Sequence, residues 1–203
     1  MTNGFKITVL ASGGGGNFQA LINNQSKVGY TINLLIVDRE CGSTKRAKKH
    51  GIDYKLIDRE KMGANFADIL LDSIPSDTNL IVLAGFLSIL DHKFCLTWKN
   101  RIINIHPSLL PKYGGKGMFG VKVHEAVMEA KEQYSGCTVH FVDEKIDNGK
   151  ILLQHVVKVD YNESPWELGG RIYKEENRIL VEAVKIIMEH ENLFEINPKP
   201  VCE

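Results

Sequence analysis

Two side chains that could act together, Asn104 and His106, follow the short apolar run of residues 101–103. That run predicts a buried strand, and Pro107 and Pro111 stop its regular continuation because proline fixes φ and lacks an N–H. Residues two apart on extended chain point to the same face. An amide donor beside an imidazole can hold an oxyanion and move a proton. The alternative is a structural asparagine and a half-buried histidine at a strand end.

A glycine-rich turn near the start of the chain could bind an anion. Residues 6–11 are apolar and β-branched and predict a first buried strand. Ser12 and four glycines follow, and residues 17–22 then have helical spacing. A strand, a glycine turn and a helix start present backbone N–H groups and a positive helix end to an anion. Asn17 is predicted to cap that helix. A tight turn without a ligand is the alternative.

Asp38 raises a rival hypothesis, a dinucleotide-binding protein. It ends a second predicted strand, residues 31–38, about twenty residues after the glycines, where an acid can hold the ribose of NAD. The glycines of this chain are contiguous, however, and Asn17 directly follows Gly16, which departs from the spacing of that fingerprint. Asp38 is therefore interpreted as a loop or capping residue before the next helix.

The elements that position these residues alternate between strand and helix. Residues 43–51 predict a basic helix closed by a glycine, and an amphipathic helix is predicted at residues 65–74. Short strands are predicted at residues 53–57 and 79–84. This order predicts an α/β fold with a doubly wound, mostly parallel twisted sheet. Ligands bind beyond the carboxyl ends of such strands, where residues 12–17, 85–90 and 104–111 converge.

The second half of the chain adds a flexible loop, two paired strands and a long helix. The glycine-rich loop at residues 114–120 is either a lid or a passive surface loop, and a helix follows at residues 121–131. Strands at residues 137–142 and 150–159 are joined by a turn containing Asp147, for which a simple turn former is the alternative.

The last helix opens with Ser164-Pro165-Trp166-Glu167, a capping box with proline at the first helical position. Glu176 falls within an apolar stripe of this helix, where a carboxylate must find a partner or line a pocket. The stripe consists of Leu168, Ile172, Ile179, Ala183 and Ile187. Residues 197–200 predict an extended tail.

Composition argues for a globular protein without a nucleic-acid or membrane partner. The chain has 203 residues, 43% of them hydrophobic, and 25 basic residues balance 25 acidic ones. The four cysteines are widely separated, the chain opens without a signal peptide, and no apolar run could span a bilayer, so free thiols in the cytoplasm are expected. The seven histidines form no cluster with metal-ligand spacing, so no metal is expected.

The stretch Asn104-Ile105-His106-Pro107-Ser108-Leu109-Leu110-Pro111 resembles the signature of the folate-dependent formyltransferases. Residues 11–21, 82–86 and 138–142, with Asp147 following, match in the same order, so the resemblance spans nearly the whole chain. It implies a Rossmann-like sheet with an antiparallel edge in the C-terminal part. It also implies a single domain, residues 1–203, with a phosphate-binding half at residues 1–105 and a folate-binding and catalytic half at residues 106–203.

The resemblance further implies formyl transfer from 10-formyltetrahydrofolate, as co-substrate, to the amine of glycinamide ribonucleotide. Asn104 would donate to the oxyanion, and His106 would supply electrostatic help and move a proton. Asp147 would orient His106, favour its charged form and order a water. His140 is left open, either as a partner of this group or as a core histidine.

The binding residues implied by the resemblance lie in three places. Gly14, Gly15, Gly16 and Asn17 match the phosphate loop; Leu87, Ser88, Ile89 and Leu90, with Asn104, match the folate pocket; Glu176 matches the acid that holds the ribose hydroxyls. Two positions depart from the pattern. Gly16 stands where a serine is usual, and Ser88 stands where a cation is common, which puts one polar folate contact in question.

Two other members of the superfamily are alternatives. A 10-formyltetrahydrofolate hydrolase would be expected to carry an extra amino-terminal domain and to have His-His in place of His106-Pro107. A formyltransferase acting on methionyl-tRNA needs a nucleic-acid domain and a basic surface, which this length and charge do not favour. A homodimer is left open.

Overall fold

A computed structural model of the chain describes residues 4–190. The extended tail predicted at residues 197–200 and Cys202 lie outside the described residues. Within that range, seven strands form one sheet in the order β3-β2-β1-β4-β5-β6-β7. The strands are β1 (Phe5–Ala11), β2 (Tyr30–Val37), β3 (Tyr54–Leu56), β4 (Leu80–Leu83), β5 (Ile102–His106), β6 (Tyr134–Phe141) and β7 (Ile151–Lys158).

The first five strands pair in parallel, whereas β5 pairs with β6, and β6 with β7, in antiparallel fashion. The predicted mostly parallel sheet with an antiparallel edge in the C-terminal part is confirmed. The helices are α1 (Gly16–Val28), α2 (Gly42–Lys49), α3 (Arg59–Met62), α4 (Phe66–Asp72), α5 (His92–Thr97), α6 (Val121–Glu129) and α7 (Pro165–Glu189).

Helices cover both faces of the sheet because the central strands are apolar on both sides. On one face α1, α6 and α7 pack against β1, β5 and β6 around residues such as Phe18, Val9 and Ile179. On the other face α4 and α5 pack through Phe66 and Phe94. A parallel sheet that is buried on both faces has its free ligand-binding space at the ends of its strands.

Helix ends follow the local signals of the sequence with one exception. The Ser164 side chain accepts a hydrogen bond from the Glu167 N–H, and the Glu167 side chain accepts one from the Ser164 N–H. Together they form a complete capping box at the start of α7. Gly51, with φ +65°, follows the C-terminal end of α2 as predicted. Asn17, however, does not cap α1: the cap is Gly15, whose φ of +74° only glycine adopts without strain, so Asn17 falls inside the first turn.

Three thiols in the described range, Cys41, Cys95 and Cys137, are free, as expected. No helix between residues 4 and 190 is long and apolar enough to cross a membrane.

Candidate active site

The carboxyl end of β5 carries Asn104 and His106 on one face, as predicted. Ile103 and Ile105 point to the other side and join the core beneath α7. Asn104 and His106 line a cavity of about 620 Å³, which we call the central cavity and which Ile105 also borders. His106 is only 4% exposed, so its ring is held by its neighbours.

Both ring nitrogens of His106 face hydrogen-bond acceptors. Nε2 donates to the carbonyl of Tyr113 over 2.8 Å. Nδ1 lies 3.5 Å from Oδ2 of Asp147. Because a carbonyl can only accept, the Nε2 proton is fixed, and Nδ1 carries a proton only in the charged imidazolium. Nδ1 is therefore the nitrogen that can take up and release a proton.

Asp147 is both a turn residue and a neighbour of His106, two roles that the sequence analysis treated as alternatives. Its φ of +54° is the left-handed conformation that aspartate tolerates in turns. Its carboxylate points inward, with the side chain 11% exposed. Besides facing His106, Oδ2 accepts from the N–H of Gly115 over 2.8 Å, which ties the glycine-rich loop to the acid.

Asn104 is oriented by His140, its direct neighbour across the β5–β6 pair. The Nδ1–H of His140 donates to the carbonyl of Phe141 over 2.8 Å, which leaves Nε2 as an acceptor. The amide Nδ2 of Asn104 donates to that nitrogen over 3.1 Å. Burial lowers the pKa of His140, so the ring stays neutral and keeps its acceptor.

The proline-flanked turn after β5 is fixed by Thr138. Its hydroxyl donates to the carbonyl of Ser108 over 2.6 Å and accepts from the N–H of Leu110 over 3.1 Å. Thr138 stands opposite His106 in the β5–β6 pair. The same strand therefore orients Asn104 and anchors the turn that follows His106.

The glycine turn is held in place by α2. Ser43 donates to the carbonyl of Gly13 from both its N–H and its hydroxyl, and Arg46 Nε donates to the carbonyl of Gly14 over 2.8 Å. A Cβ at Gly15 would stand 2.7 Å from the Ser43 hydroxyl, so a side chain is excluded there sterically as well as by φ. Gly15 therefore adds no side chain in front of the first N–H groups of α1.

Glu176 reaches the start of α1 from α7. It is 8% exposed, and its Oε2 accepts from Nδ2 of Asn17 at 3.5 Å. Burial raises the pKa of Glu176 to about 7, against a smaller opposing effect of the Asn17 hydrogen bond. Oδ1 of Asn17 is buried and makes no hydrogen bond within residues 4–190. Glu176 and Asn17 both line the central cavity, so a ligand there could satisfy them.

The three glycines predicted to bind phosphate do not line the central cavity. Gly16 borders a neighbouring groove of about 700 Å³ between α1 and α7, which we call the α1–α7 groove. Gly14 and Gly15 are among the lining residues of neither space. Asn17, the next residue, is the point at which the glycine turn reaches the central cavity.

The loop after β4 contributes all four predicted folate-pocket residues to the central cavity, but their side chains diverge. Leu87 and Ile89 are 47% and 57% exposed at its opening. Leu90 is buried in the core. The hydroxyl of Ser88 turns inward and donates to Oδ2 of Asp38 over 2.6 Å. Its side chain is therefore occupied by a protein partner.

Asp38 is committed to this internal network, which argues against the dinucleotide hypothesis. It is 2% exposed; Nε and Nη2 of Arg39 donate to its two oxygens, each over 3.1 Å. Burial raises the pKa of Asp38, but the hydrogen bonds from Arg39, Ser88 and Ser12 outweigh that effect and lower it. A carboxylate with these partners does not present itself to a ribose. It is a loop residue, as predicted, whereas α2 is capped at Cys41.

The lining of the central cavity includes residues that the sequence analysis did not assign to the site, among them His124 and Tyr173. His124 stands in the first turns of α6, 6% exposed, and burial lowers its pKa to about 4, with a further contribution from His106. Its position directly after the glycine-rich loop was an available signal. Tyr173 lies one turn before Glu176 on α7, so the spacing from Glu176 could have identified it.

Metal binding has no support in the described part of the chain. Between residues 4 and 190, no group of three or more histidine, cysteine, aspartate or glutamate side chains could hold a metal ion.

Comparison with known proteins gives a consistent result at the level of family. The family model described as formyl transferase matches residues 5–184. A chloroplastic phosphoribosylglycinamide formyltransferase of Arabidopsis thaliana is 36% identical over 191 residues, which are 91% of this chain and 65% of that protein. The chain thus spans about 65% of the length of the plant relatives it matches.

Solved structures agree with the fold. Glycinamide ribonucleotide transformylase 1 from Symbiobacterium toebii superposes with a TM-score of 0.86 at 31% identity, covering 93% of this chain and 90% of that one. Phosphoribosylglycinamide formyltransferase from Coxiella burnetii gives a TM-score of 0.84 at 33% identity, covering 91% of this chain and 87% of that one.

Proposed function

The chain belongs to the formyl transferase family, and we propose that it transfers a formyl group from 10-formyltetrahydrofolate to the amine of glycinamide ribonucleotide in purine biosynthesis. The products would be N-formylglycinamide ribonucleotide and tetrahydrofolate. The observation that carries this proposal is the meeting of Asn104, His106 and Asp147 in one cavity that also reaches Asn17 and Glu176.

Formyl transfer requires an oxyanion stabiliser and a proton carrier, and the cavity supplies both. The substrate amine is itself the nucleophile and attacks the formyl carbon. The N–H of Asn104 that does not bind His140 would donate to the oxyanion of the tetrahedral intermediate, where its contribution is largest. His140 keeps this amide from rotating, which lowers the entropy cost of that contact.

Proton transfer is assigned to His106. The attacking amine must lose a proton, and the departing folate nitrogen must gain one. Nδ1 of His106 can do both, because Nε2 is held by the Tyr113 carbonyl. Asp147, 3.5 Å from Nδ1, would stabilise the charged imidazolium and would order a water in the cavity. No serine or cysteine nucleophile enters this scheme.

Substrate binding is divided between the start of α1, which meets the central cavity at Asn17, and the loop after β4. Gly14, Gly15, Gly16 and Asn17 would hold the phosphate through backbone N–H groups at the start of α1, and Glu176 would accept from both ribose hydroxyls. Leu87 and Ile89 offer apolar contacts to the pterin, with Ser88 and Leu90 holding the loop from beneath. Residues 1–105 would then form the phosphate-binding half of a single domain of residues 1–203, and residues 106–203 the folate-binding and catalytic half.

One assay tests the proposal against its alternatives. Purified protein is given glycinamide ribonucleotide and 10-formyltetrahydrofolate, and formyl transfer is measured beside hydrolysis of the folate alone. We expect transfer to dominate; hydrolysis without transfer would assign the chain to the hydrolases instead. In a thermal shift measurement, glycinamide ribonucleotide should raise Tm and NAD should not. We further propose that the enzyme acts in the cytoplasm.

A further inference from the structure

The hydroxyl of Tyr173 lies directly over the first residue of α1. A Cβ built on Gly16 would stand 1.5 Å from the phenol oxygen and 2.4 Å from Cζ of the same ring. Real contacts of a Cβ are essentially never below 3.0 Å, so a side chain at position 16 would require the Tyr173 ring to leave its present position. Gly16 has no positive φ, so it is the present position of the Tyr173 ring, and not the backbone conformation, that leaves no room for a Cβ there.

Tyr173 and Glu176 form a matched pair on α7. They are three residues apart and thus share a face of the helix. Glu176 meets Asn17 and Tyr173 meets Gly16, so two successive residues of α1 face two successive turns of α7. The spacing of Tyr173 and Glu176 on α7 therefore places the phenol beside the glycine turn and the carboxylate beside Asn17.

The Tyr173 hydroxyl is free to serve a ligand. It makes no hydrogen bond with any residue in the range 4–190, and the side chain is 40% exposed. Tyr173 also borders both the central cavity and the α1–α7 groove, so its oxygen stands between the two spaces. A phenol O–H can donate to an anion held by the first backbone N–H groups of α1.

We propose that Tyr173 is a specificity-determining residue whose hydroxyl donates a hydrogen bond to the phosphate of the ribonucleotide bound at the start of α1. The Tyr173 hydroxyl, carried by α7, would make the hydrogen bond that a side-chain hydroxyl at position 16 of α1 could otherwise make. The proposal rests on the proposed function, since it names a further contact for the same substrate. Tyr173 would thus supply the hydroxyl donor that Gly16, which has no side chain, does not provide.

Removal of the hydroxyl alone is the first test. Tyr173→Phe keeps the ring and its packing. Because a hydrogen bond to a charged group is lost, KM for glycinamide ribonucleotide should rise about tenfold or more. KM for the folate and kcat should change little, since the contact is the same in the ground state and the transition state. Tyr134→Phe, which removes a comparably exposed phenol from β6, serves as the matched control and should match the parent.

The dephosphorylated substrate assigns the contact to the phosphate. With glycinamide riboside, kcat/KM of Tyr173→Phe should equal that of the parent, because the group that accepts from the phenol is missing. An equal loss with riboside and ribonucleotide would overturn the proposal, since the hydroxyl would then act elsewhere.

A transfer of the hydroxyl between the two helices is the second test. In the parent, Gly16→Ser should weaken ribonucleotide binding, because the new Cβ displaces the Tyr173 ring. In a Tyr173→Ala background the same serine has room, and it should lower the raised KM by several-fold. If Gly16→Ser raised KM equally in both backgrounds, the two positions would be independent and the proposal would fail.

Failure of this inference is distinguishable from failure of the proposed function. A parent protein without formyl transfer to glycinamide ribonucleotide would refute the function. A parent with normal transfer, together with a Tyr173→Phe variant of parental KM for the ribonucleotide, would refute only the role of Tyr173.

Discussion

The amide of Asn104 and the imidazole of His140 are joined by a hydrogen bond of 3.1 Å between Nδ2 and Nε2. The two residues are paired across β5 and β6, so the bond is set by the register of the sheet. His140 also donates to the Phe141 carbonyl, which fixes its tautomer. We therefore expect it to act as a positioning residue for Asn104, which is one of the two possibilities that the sequence left open.

The first prediction concerns this pair. His140→Leu keeps an apolar filling but removes the acceptor, so Asn104 can rotate. Asn104→Ala should lower kcat by on the order of 10²-fold, and His140→Leu by a smaller factor of about tenfold. Because both act through one amide, the double variant should resemble Asn104→Ala alone. Steady-state kcat of the three variants checks this; multiplicative losses would show that His140 acts independently of Asn104.

The second prediction concerns His106 as the proton carrier. His106→Ala should lower kcat by on the order of 10²-fold or more while folate binding is retained. The measurement pairs kcat with folate affinity by titration. The surface variant His50→Ala is the control, since His50 lies at the end of α2 outside both cavities. Near-normal turnover in His106→Ala would refute the assignment of proton transfer to this residue.

The third prediction separates the charge of Asp147 from its turn geometry. Asp147→Asn tolerates a φ of +54° and can still accept from Gly115, but it cannot stabilise the imidazolium of His106. The variant should keep the parental Tm and lose most of its formyl transfer. Asp160→Asn, in an exposed turn, is the control and should keep both. Full activity in Asp147→Asn would return the residue to a purely structural role.

The fourth prediction uses the burial of Glu176. Its pKa is about 7 in the folded chain and 4.5 when unperturbed, so the folded state holds its proton more tightly. The resulting stability is fully present below pH 4.5 and is lost as pH rises through 7. Glutamine does not titrate. As pH rises from 4.5 to 7, the unfolding free energy of Glu176→Gln should therefore increase relative to that of the parent by on the order of 3 kcal/mol. Denaturant unfolding at several pH values measures the difference.

The same variant should separate the two substrates. Glutamine offers one acceptor oxygen where the carboxylate offers two, so KM for glycinamide ribonucleotide should rise while KM for the folate stays near the parental value. For the parent, ribonucleotide binding should strengthen as pH rises through about 7, and the part of this dependence that comes from Glu176 should be absent in Glu176→Gln. Glu182→Gln, exposed on the same helix, is the control. A less stable protein with both KM values raised alike would contradict the assigned role.

Local signals in the sequence were sufficient for most of the fold. Apolar runs predicted the strands, Ser164 and Glu167 predicted the start of α7, and Gly51 predicted the end of α2. The period of two along β5 was enough to put Asn104 and His106 on one face. Glu176 was identifiable as a candidate site residue because a buried carboxylate without a partner inside an apolar stripe is costly.

The remaining features depend on distant parts of the chain. The sequence around Asp147 indicates a turn, but only the antiparallel return of β6 brings that turn to His106. The inward rotation of Ser88 depends on Asp38, fifty residues away in sequence. Asn17 was assigned as a cap by residue preference alone, whereas the left-handed conformation of Gly15 moved the cap two residues earlier.

Ser12 links the two segments that we propose to bind the phosphate and the folate. Its N–H donates to the Gly85 carbonyl and its hydroxyl accepts from the N–H of Leu87, so the glycine turn and the loop after β4 share two hydrogen bonds. A ligand that immobilises one of these segments therefore also restrains the other and reduces the conformational entropy that the second ligand must remove. Occupancy of the phosphate end and of the folate end would then be thermodynamically coupled, each tightening the other by the same factor.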